Sequence, residues 1–306
     1  MDGFIVVDKP AGVTSHDVVA AVRRIIRQKK VGHTGTLDPF ATGVLPVAVG
    51  EGTKAIPYLD EGVKEYRATM LLGAATDTQD CTGTIIRQGE WGHLTPAEVA
   101  AKLQSFVGHS TQLPPMFSAV KRNGVPLYQL ARKGQEVERE PREIAVYSLS
   151  VDSIALPWVT FTVSCSRGTY VRTLANDMGE SLGCGAHLTE LRRLRSGPFT
   201  LDKAYSLDEL SRLFTAGAGH EIFTSPLESL SHLEAFTVSE RGRERVMRGI
   251  SPELVDFADS YGEGIAGGHR LCLVWEGHLL AVAESLQHPW RDDAKNLRLI
   301  RVFNQD

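Results

Sequence analysis

The sequence is poor in cysteine, with only four residues of this type in a chain of 306. They are far apart, so none forms the Cys-x-x-Cys pair that is typical of zinc or iron–sulfur sites. We therefore expect free thiols, a reducing compartment and a cytoplasmic location. The four positions are Cys81, Cys165, Cys184 and Cys272.

Long apolar runs and a basic leader are also missing. No segment approaches the roughly 20 apolar residues that a helix needs to cross a bilayer. The amino-terminal residues Met1 to Phe4 place no basic region before an apolar stretch, as a secretory signal would. We therefore expect neither a membrane span nor export.

Motifs of several common enzyme classes do not occur. Gly32 and Gly35 form a Gly-x-x-Gly, but the Gly-Lys-Ser/Thr that a triphosphate loop requires is absent. No His-Glu-x-x-His is found, and the ten histidines are scattered without ligand spacing. A metal centre and a nucleotide triphosphate site are not expected.

The charge is slightly acidic overall but locally basic. A net charge of −4 argues mildly against a nucleic-acid partner. Only charges near the bound phosphates act strongly, however, so their distribution matters more than the total. A single basic cluster is usually a solvated helix face, whereas three clusters predict a local RNA-binding surface. The clusters are Arg23, Arg24, Arg27, Lys29 and Lys30; Lys121, Arg122, Arg132 and Lys133; and Arg192, Arg193 and Arg195.

The apolar periodicity predicts a chain of mixed helices and strands. Residues 108–145 are polar and rich in turn formers, which is typical of a functional or mobile segment. From about residue 228, short strand-like runs separated by glycine predict a small β-rich unit, with a linker near 216–219. Predicted strands are 4–7, 44–49, 65–72 and 158–166, and predicted helices begin near Thr14, Thr95 and Tyr170.

Asp38 stands out in a loop that is too rich in glycine and threonine for a helix. Gly32, Gly35 and Gly43 allow tight turns and the close approach of a ligand, and His33 adds a hydrogen-bonding group. An aspartate before proline is nevertheless common in turns, where it caps its own backbone. Spacing alone favours that structural interpretation over catalysis.

Seven segments that follow one another along the chain favour a catalytic role for Asp38 instead. Together, over residues 4 to about 200, they resemble the TruB-type tRNA pseudouridine-55 synthases. The segments include Asp8-Lys9-Pro10-Ala11-Gly12, Gly32-His33-Thr34-Gly35-Thr36-Leu37-Asp38-Pro39, Lys64-Glu65-Tyr66-Arg67, Thr76-Asp77-Thr78-Gln79-Asp80, residues 112–134, Cys165-Ser166-Arg167-Gly168-Thr169-Tyr170-Val171-Arg172-Thr173, and residues 185–193.

The resemblance implies an α+β protein with the pseudouridine synthase fold, built on a mixed, mainly antiparallel central sheet. Residues 1–228 would form the catalytic domain, including a mobile RNA-gripping insertion at about 108–145. Residues 229–306 would form a small β-rich, PUA-like RNA-binding domain, for which the sequence signal is weaker.

The resemblance also implies the reaction, which is the isomerisation of uridine 55 in the T loop of tRNA after the base is flipped out. Asp38 would act as nucleophile or base, and Tyr66 would stack on the uracil. Arg172 would pair with Asp38 through both guanidinium arms, keep the carboxylate ionised and lower its pKa. Neither a metal nor an organic cofactor is implied.

Further residues match substrate-binding positions of that family. Leu191 would line the uracil pocket, and His33 would fill the space that the flipped base leaves. Lys9 and Tyr170 also match motif positions, with structural roles as the alternative. The residues implied to grip phosphates are Lys121, Arg122, Arg132 and Lys133.

The partner implied is the T-stem loop of tRNA, and base opening would also assist tRNA folding. We expect a monomer without an obligate protein partner, because nothing in the sequence indicates a hydrophobic assembly seam. Two other hypotheses remain open at this point. The first is an RNA-binding protein or RNA-folding chaperone without catalysis, which would not require Asp38, Tyr66 and Arg172. The second is the related archaeal and eukaryotic RNA-guided synthase. The long insertion after Gly108 and the absence of a basic low-complexity tail argue against it.

Overall fold

The computed structural model describes residues 1–258, 265–291 and 295–304. The strands in these ranges are β1 (Gly3–Lys9), β2 (Val31–His33), β3 (Thr42–Val49), β4 (Val63–Leu72), β5 (Ala74–Thr76), β6 (Ile85–Gln88), β7 (Gly108–Gln112), β8 (Lys121–Arg122), β9 (Val125–Pro126), β10 (Arg142–Ala155), β11 (Trp158–Ser166), β12 (Ala186–Ser196), β13 (Phe199–Thr200), β14 (Glu234–Thr237), β15 (Arg270–Trp275), β16 (His278–Ser285) and β17 (Leu297–Val302). The helices are α1 (Ser15–Ile26), α2 (Gly52–Ala55), α3 (Pro96–Gln104), α4 (Leu127–Ala131), α5 (Val171–Ser181), α6 (Leu207–Thr215), α7 (Pro226–Ser229) and α8 (Glu240–Met247), with short 3₁₀ turns at Ile56–Tyr58, Leu201–Lys203 and Leu254–Asp256.

A large sheet forms the centre of the protein, with strand order β1-β3-β12-β4-β11-β10-β7. Strand β2 pairs with β3, and β13 pairs with β12. All of these pairings are antiparallel except that of β12 with β3, which is parallel. The prediction of an α+β fold on a mixed, mainly antiparallel sheet is confirmed.

Residues 4–7 of β1 form an uninterrupted apolar run, and both faces of this part of the strand are buried. Ile5 and Val7 pack against helices α1 and α6. Phe4 and Val6 face the opposite side and join a cluster that includes residues of β15 and β16. An uninterrupted apolar run is the pattern expected of a strand covered on both sides.

The helix boundaries follow from their capping residues. Thr95 and Glu98 form the predicted reciprocal capping box of α3, with a proline at the first helical position. Helix α1 has an equivalent box between Thr14 and Asp17. The polar segment 108–145 contains more regular structure than its composition predicts, namely β7, the β8–β9 hairpin, α4 and the start of β10. Its mobility stays a prediction.

The carboxyl-terminal part is rich in β structure, as expected, with a sheet ordered β14-β15-β16-β17. This sheet shares a core with the central sheet, in which Phe4 and Val44 cluster with Cys272 and Phe303. The Asn304 backbone N–H also donates to Glu51, 2.7 Å away. The division into domains 1–228 and 229–306, and the PUA-like nature of the second, stay predictions.

Gly43 is the second residue of β3 and lies at a place where only glycine fits. Its φ of +98° lies in the left-handed region, and a Cβ atom there would lie 2.2 Å from the carbonyl oxygen of Arg193. The close approach arises because Gly43 is the parallel partner of Arg193 on β12. A side chain at residue 43 would therefore push β3 away from β12. Strand β3 directly follows residues 34–41, the loop that carries Asp38 and is called the Asp38 loop.

We expect Gly43→Ala to lower the free energy of unfolding by at least about 2 kcal/mol, from backbone strain and the clash with β12. Urea denaturation of the full chain would measure this loss. Gly92→Ala is the matched control, since a Cβ atom on Gly92 would have no neighbouring atom within 4 Å. Equal stability of the two variants would contradict the assigned packing.

Candidate functional site

A cavity opens between the Asp38 loop and one face of strands β4 and β12. Side chains alternate along a strand, so Lys64 and Tyr66 point to the same face of β4. Leu191 and Arg193 of β12 lie opposite Ala68 and Tyr66 in the register. The sequence-predicted residues that line this cavity together are Asp38, Tyr66, Tyr170, Arg172 and Leu191.

Asp38 and Arg172 are paired, as expected, but only one arm of the guanidinium donates a hydrogen bond to the carboxylate. Arg172 Nε lies 2.8 Å from Asp38 Oδ2, and Arg172 Nη2 donates to Asp38 Oδ1 at 3.3 Å. Arg172 lies at the start of α5, where its side chain is buried, whereas about a third of the Asp38 side chain is exposed (34%) at the cavity. The guanidinium therefore fixes the direction in which the carboxylate faces the cavity.

The same guanidinium has a second acidic partner that the sequence analysis did not assign. Arg172 Nη1 lies 3.3 Å from Asp80 Oδ2 and donates to the Thr78 carbonyl at 2.7 Å. Nη2 also donates to the Phe117 carbonyl at 2.8 Å. Asp80 belongs to a segment that carried the family resemblance, but nothing in its spacing indicated that it meets Arg172.

The pKa of Asp38 is raised above its usual range, although Arg172 lowers it as expected. Burial is the largest cause, since it disfavours the charged carboxylate. Arg172 opposes this shift, while the negative charge of Asp80 adds to it. The arginine is shared between two carboxylates, and its effect on Asp38 does not outweigh the burial.

Lys9 supports the loop from behind and does not line the cavity. Its side chain is fully buried, and its ammonium donates to the carbonyls of Pro10, Pro39 and Ala41 at 2.9, 3.1 and 2.7 Å. Burial lowers the pKa of Lys9 to about 8. In this position Lys9 holds the backbone just after Asp38. This favours a structural role for Lys9 over contact with the substrate.

Ser15 fastens the other side of the loop. Its hydroxyl accepts from the Leu37 backbone N–H at 2.9 Å and lies 3.1 Å from the Leu37 carbonyl. Asp38 is thus the residue between a backbone held by Ser15 and a backbone held by Lys9. Hydrogen bonds with the side chains of Ser15 and Lys9 therefore fix the backbone on both sides of Asp38.

Tyr66 is buried in the cavity floor beside Arg193, its partner on β12. Burial raises the pKa of Tyr66 above its usual value, while the nearby guanidinium opposes that rise. The phenol is therefore protonated at neutral pH. The Tyr66 side chain lines the cavity, and stacking on a base stays a prediction.

The other sequence-predicted residues lie outside the main cavity. His33 lies on β2, half-buried, and burial lowers its pKa. Lys121 and Arg122 are exposed on β8 and line a separate polar groove within the insertion. Arg132 stacks on the ring of Tyr128 at the end of α4, 5.4 Å from the ring centroid, and Lys133 follows it. Their assignment to RNA contacts stays a prediction.

Lys64 and Arg193 line the cavity but were not predicted as site residues. A signal was present for Lys64, since it lies two positions before Tyr66 on an alternating strand and must share its face. Arg193 was visible only as one member of a basic cluster. Its contact with Tyr66 depends on the register between β12 and β4.

Two other kinds of feature are missing from the part of the chain that the structure describes. Within the described ranges, no three His, Cys, Asp or Glu side chains are grouped so that they could hold a metal ion. None of the helices in that part of the chain is long and apolar enough to span a membrane.

Known proteins resemble the chain over its whole length. Residues 23–171 match the family model for the TruB family pseudouridylate synthase N-terminal domain, and 172–230 match that for the tRNA pseudouridylate synthase B C-terminal domain. A curated protein of Geobacter sulfurreducens named tRNA pseudouridine synthase B is 65% identical, covering 99% of this chain and 100% of the relative. A protein of the same name from Geotalea uraniireducens is 56% identical, covering 100% of this chain and 99% of the relative.

Solved structures agree with this relationship. The crystal structure of a Cbf5-Nop10-Gar1 complex contains a chain that is 28% identical, with a TM-score of 0.76, covering 99% of this chain and 85% of that one. The chain belongs to the TruB family of pseudouridylate synthases.

Proposed function

We propose that Asp38, Tyr66 and Arg172 carry out the chemistry of this family in this chain. The reaction is the isomerisation of uridine 55 of tRNA to pseudouridine, the activity of the relatives named tRNA pseudouridine synthase B. The observation that carries the proposal is the contact of Arg172 with Asp38 in a cavity that Tyr66 also lines.

Asp38 is proposed as the group that acts on the ribose. The reaction breaks the bond between ribose C1′ and uracil N1, turns the base and joins C1′ to C5. A carboxylate can attack C1′ to form an ester, or it can take a proton from the sugar. Both roles require an ionised carboxylate that is held in one orientation, which Arg172 provides from a buried position.

Tyr66 and Leu191 are proposed to hold the uracil. Both are largely buried in the cavity floor, one offering an aromatic ring and the other an aliphatic side chain. A base can reach them only after it leaves the stacked T loop, as chemistry on a base generally requires. His33 would then fill the vacated space, and Tyr170 would border the entrance.

The RNA itself is proposed to be held by the basic insertion. The cations there would contact phosphates of the T-stem loop, while recognition rests on the shape of the folded loop. The second sheet would add further RNA contacts as a PUA-like domain. The residues proposed to contact phosphate are Lys121, Arg122, Arg132 and Lys133.

We further propose that the chain acts as a monomer in the cytoplasm, without a protein partner, and that opening of the T loop also assists tRNA folding. The insertion after Gly108 supports self-sufficient RNA binding, since it supplies its own hairpin, helix and basic residues. The structural relative in the Cbf5-Nop10-Gar1 complex, by contrast, is assembled with two other proteins.

Asp38→Asn should abolish turnover and leave RNA binding intact. An amide keeps the shape of the side chain but can neither attack C1′ nor accept a proton, so we expect a loss of at least about 1,000-fold. Tritium release from T-arm RNA labelled at uridine C5 would measure turnover, and filter retention would measure binding. Asp152→Asn, a surface carboxylate beside Arg67, is the control. Release that persists in Asp38→Asn would refute the assignment.

Arg172→Lys should keep the positive charge but lose the orientation. An ammonium cannot bridge Asp38, Asp80 and two carbonyls with the fixed geometry of a guanidinium. We expect kcat to fall by about 100-fold, with a much smaller change in KM. Arg87→Lys, at the surface ion pair with Glu180, is the matched control. A rise in KM alone would show that Arg172 serves binding rather than orientation.

The pH profile should depend on Asp80. Asp38 must be ionised, and its pKa is raised, so the single-turnover rate should fall as pH falls through a midpoint above the usual aspartate value of about 3.9. Asp80→Asn removes a charge that raises the pKa of Asp38, so this midpoint should move to lower pH. Asp77→Asn changes an exposed neighbouring carboxylate and should leave the midpoint unchanged. A midpoint that rises in Asp80→Asn would be incompatible with this network.

A further inference from the structure

The floor of the cavity carries a buried lysine beside the tyrosine. Lys64 and Tyr66 share one face of β4, and their partners across the sheet are Ser196 and Arg193 of β12. All of these side chains except Ser196 line the cavity. Two cations therefore lie in the floor next to Tyr66, and the Asp38 carboxylate lies in the loop that borders the same cavity.

The ammonium of Lys64 is held only loosely by the described residues. Its nearest partners are Ser196 Oγ at 3.3 Å and Glu61 Oε1 at 4.0 Å. Glu61 itself accepts a hydrogen bond from Thr34 and has Arg167 at 3.8 Å. An ammonium has three donors, and this one is buried, with 7% of the side chain exposed. Burial lowers the pKa of Lys64 to about 8.

Arg193 differs from Lys64 because its guanidinium is committed to the protein. Nε donates to the Val44 carbonyl at 2.7 Å, and Nη2 donates to the Gly35 carbonyl at 2.8 Å. These bonds join the two ends of the Asp38 loop to β12. The Lys64 ammonium has no such close carbonyl partner among the described residues, so its donors are available to a ligand.

We propose that Lys64 contacts the uracil and stabilises the negative charge that the ring gains when its bond to ribose breaks. This inference rests on the proposed function. A fixed cation that faces developing charge in a site shielded from water is an efficient form of catalysis. Asp38 cannot serve this purpose, because its own charge is negative.

The electron balance shows why a cation is useful here. When the C1′–N1 bond breaks, its electron pair stays with uracil, whose charge spreads over N1 and the two carbonyl oxygens. C1′ is satisfied by an oxygen of Asp38, or by loss of the C2′ proton to it. C5 then bonds to C1′, either as the C1′–O bond to Asp38 breaks or as Asp38 returns the proton to C2′. The C5 proton leaves and N1 gains a proton, so the composition of the nucleotide is unchanged.

The test measures RNA binding and chemistry separately in the full chain. T-arm RNA with tritium at uridine C5 would give the dissociation constant and, with saturating protein, the single-turnover rate. We expect Lys64→Gln to lower that rate by at least about 100-fold, with a dissociation constant close to that of the wild type. Lys64→Arg, which keeps a charge, should recover part of the rate.

The matched control is Arg67→Gln. Arg67 is the next cation on β4, but it lies on the opposite face, 60% exposed and paired with Asp152. Its single-turnover rate should equal that of the wild type. A wild-type rate in Lys64→Gln would overturn the inference. Weaker RNA binding with a normal rate would also overturn it, by assigning Lys64 to a phosphate. Absence of tritium release from the wild type would instead refute the proposed function.

A pH profile provides a second readout that does not depend on the stability of Lys64→Gln. Lys64 is faced by Glu61, Arg193, Arg167 and Cys165, and it must be protonated to act. The wild-type rate should therefore fall as pH rises through about 8. Lys9 has a similar pKa, so Lys64→Arg is needed to separate the two. A guanidinium stays charged, and the fall should move to higher pH. A fall that persists unchanged in Lys64→Arg would overturn the inference.

Discussion

The site depends on one buried guanidinium. Arg172 is enclosed by the carboxylates of Asp38 and Asp80 and by the carbonyls of Thr78 and Phe117. A buried charge is tolerated only when it is paired and its donors are satisfied, and removal of one partner is costly. Helix α5, the Asp38 loop, the segment after β5 and the insertion therefore meet at a single side chain. The same arginine therefore joins these four segments and orients the Asp38 carboxylate.

The charges around this arginine give the cavity two unlike sides. One guanidinium faces two carboxylates on the Asp38 side, and the negative charge of Asp80 contributes to the raised pKa of Asp38. The floor of β4 and β12 carries Lys64 and Arg193. A reaction that separates charge between a sugar and a base would meet a negative group at the sugar and a positive group at the base. Such preorganised charges need little rearrangement during the reaction.

The sequence was most informative where local chemistry decides the structure. Alternation predicted β4, and the capping box predicted α3 at Thr95. The resemblance alone grouped Asp38, Tyr66 and Arg172 in one site. It could not show that Lys9 faces away from the cavity, or that Asp80 shares the arginine, because both depend on how distant segments pack. The resemblance also could not show the net direction of the Asp38 pKa shift, since this depends on how deeply the carboxyl is buried. Burial raises the pKa by more than the neighbouring cation lowers it.

The shared core between the two sheets has a consequence for substrate size. Val44 directly follows Gly43, where the Asp38 loop joins β3, and it packs in one cluster with Cys272 and Phe303 of the carboxyl-terminal part. The second sheet is thus packed against β3 beside the Asp38 loop. A molecule that contacts both the Asp38 loop and the second sheet would therefore have to span a fixed distance. Selection by length would then come from the scaffold itself, in addition to any contact with individual nucleotides.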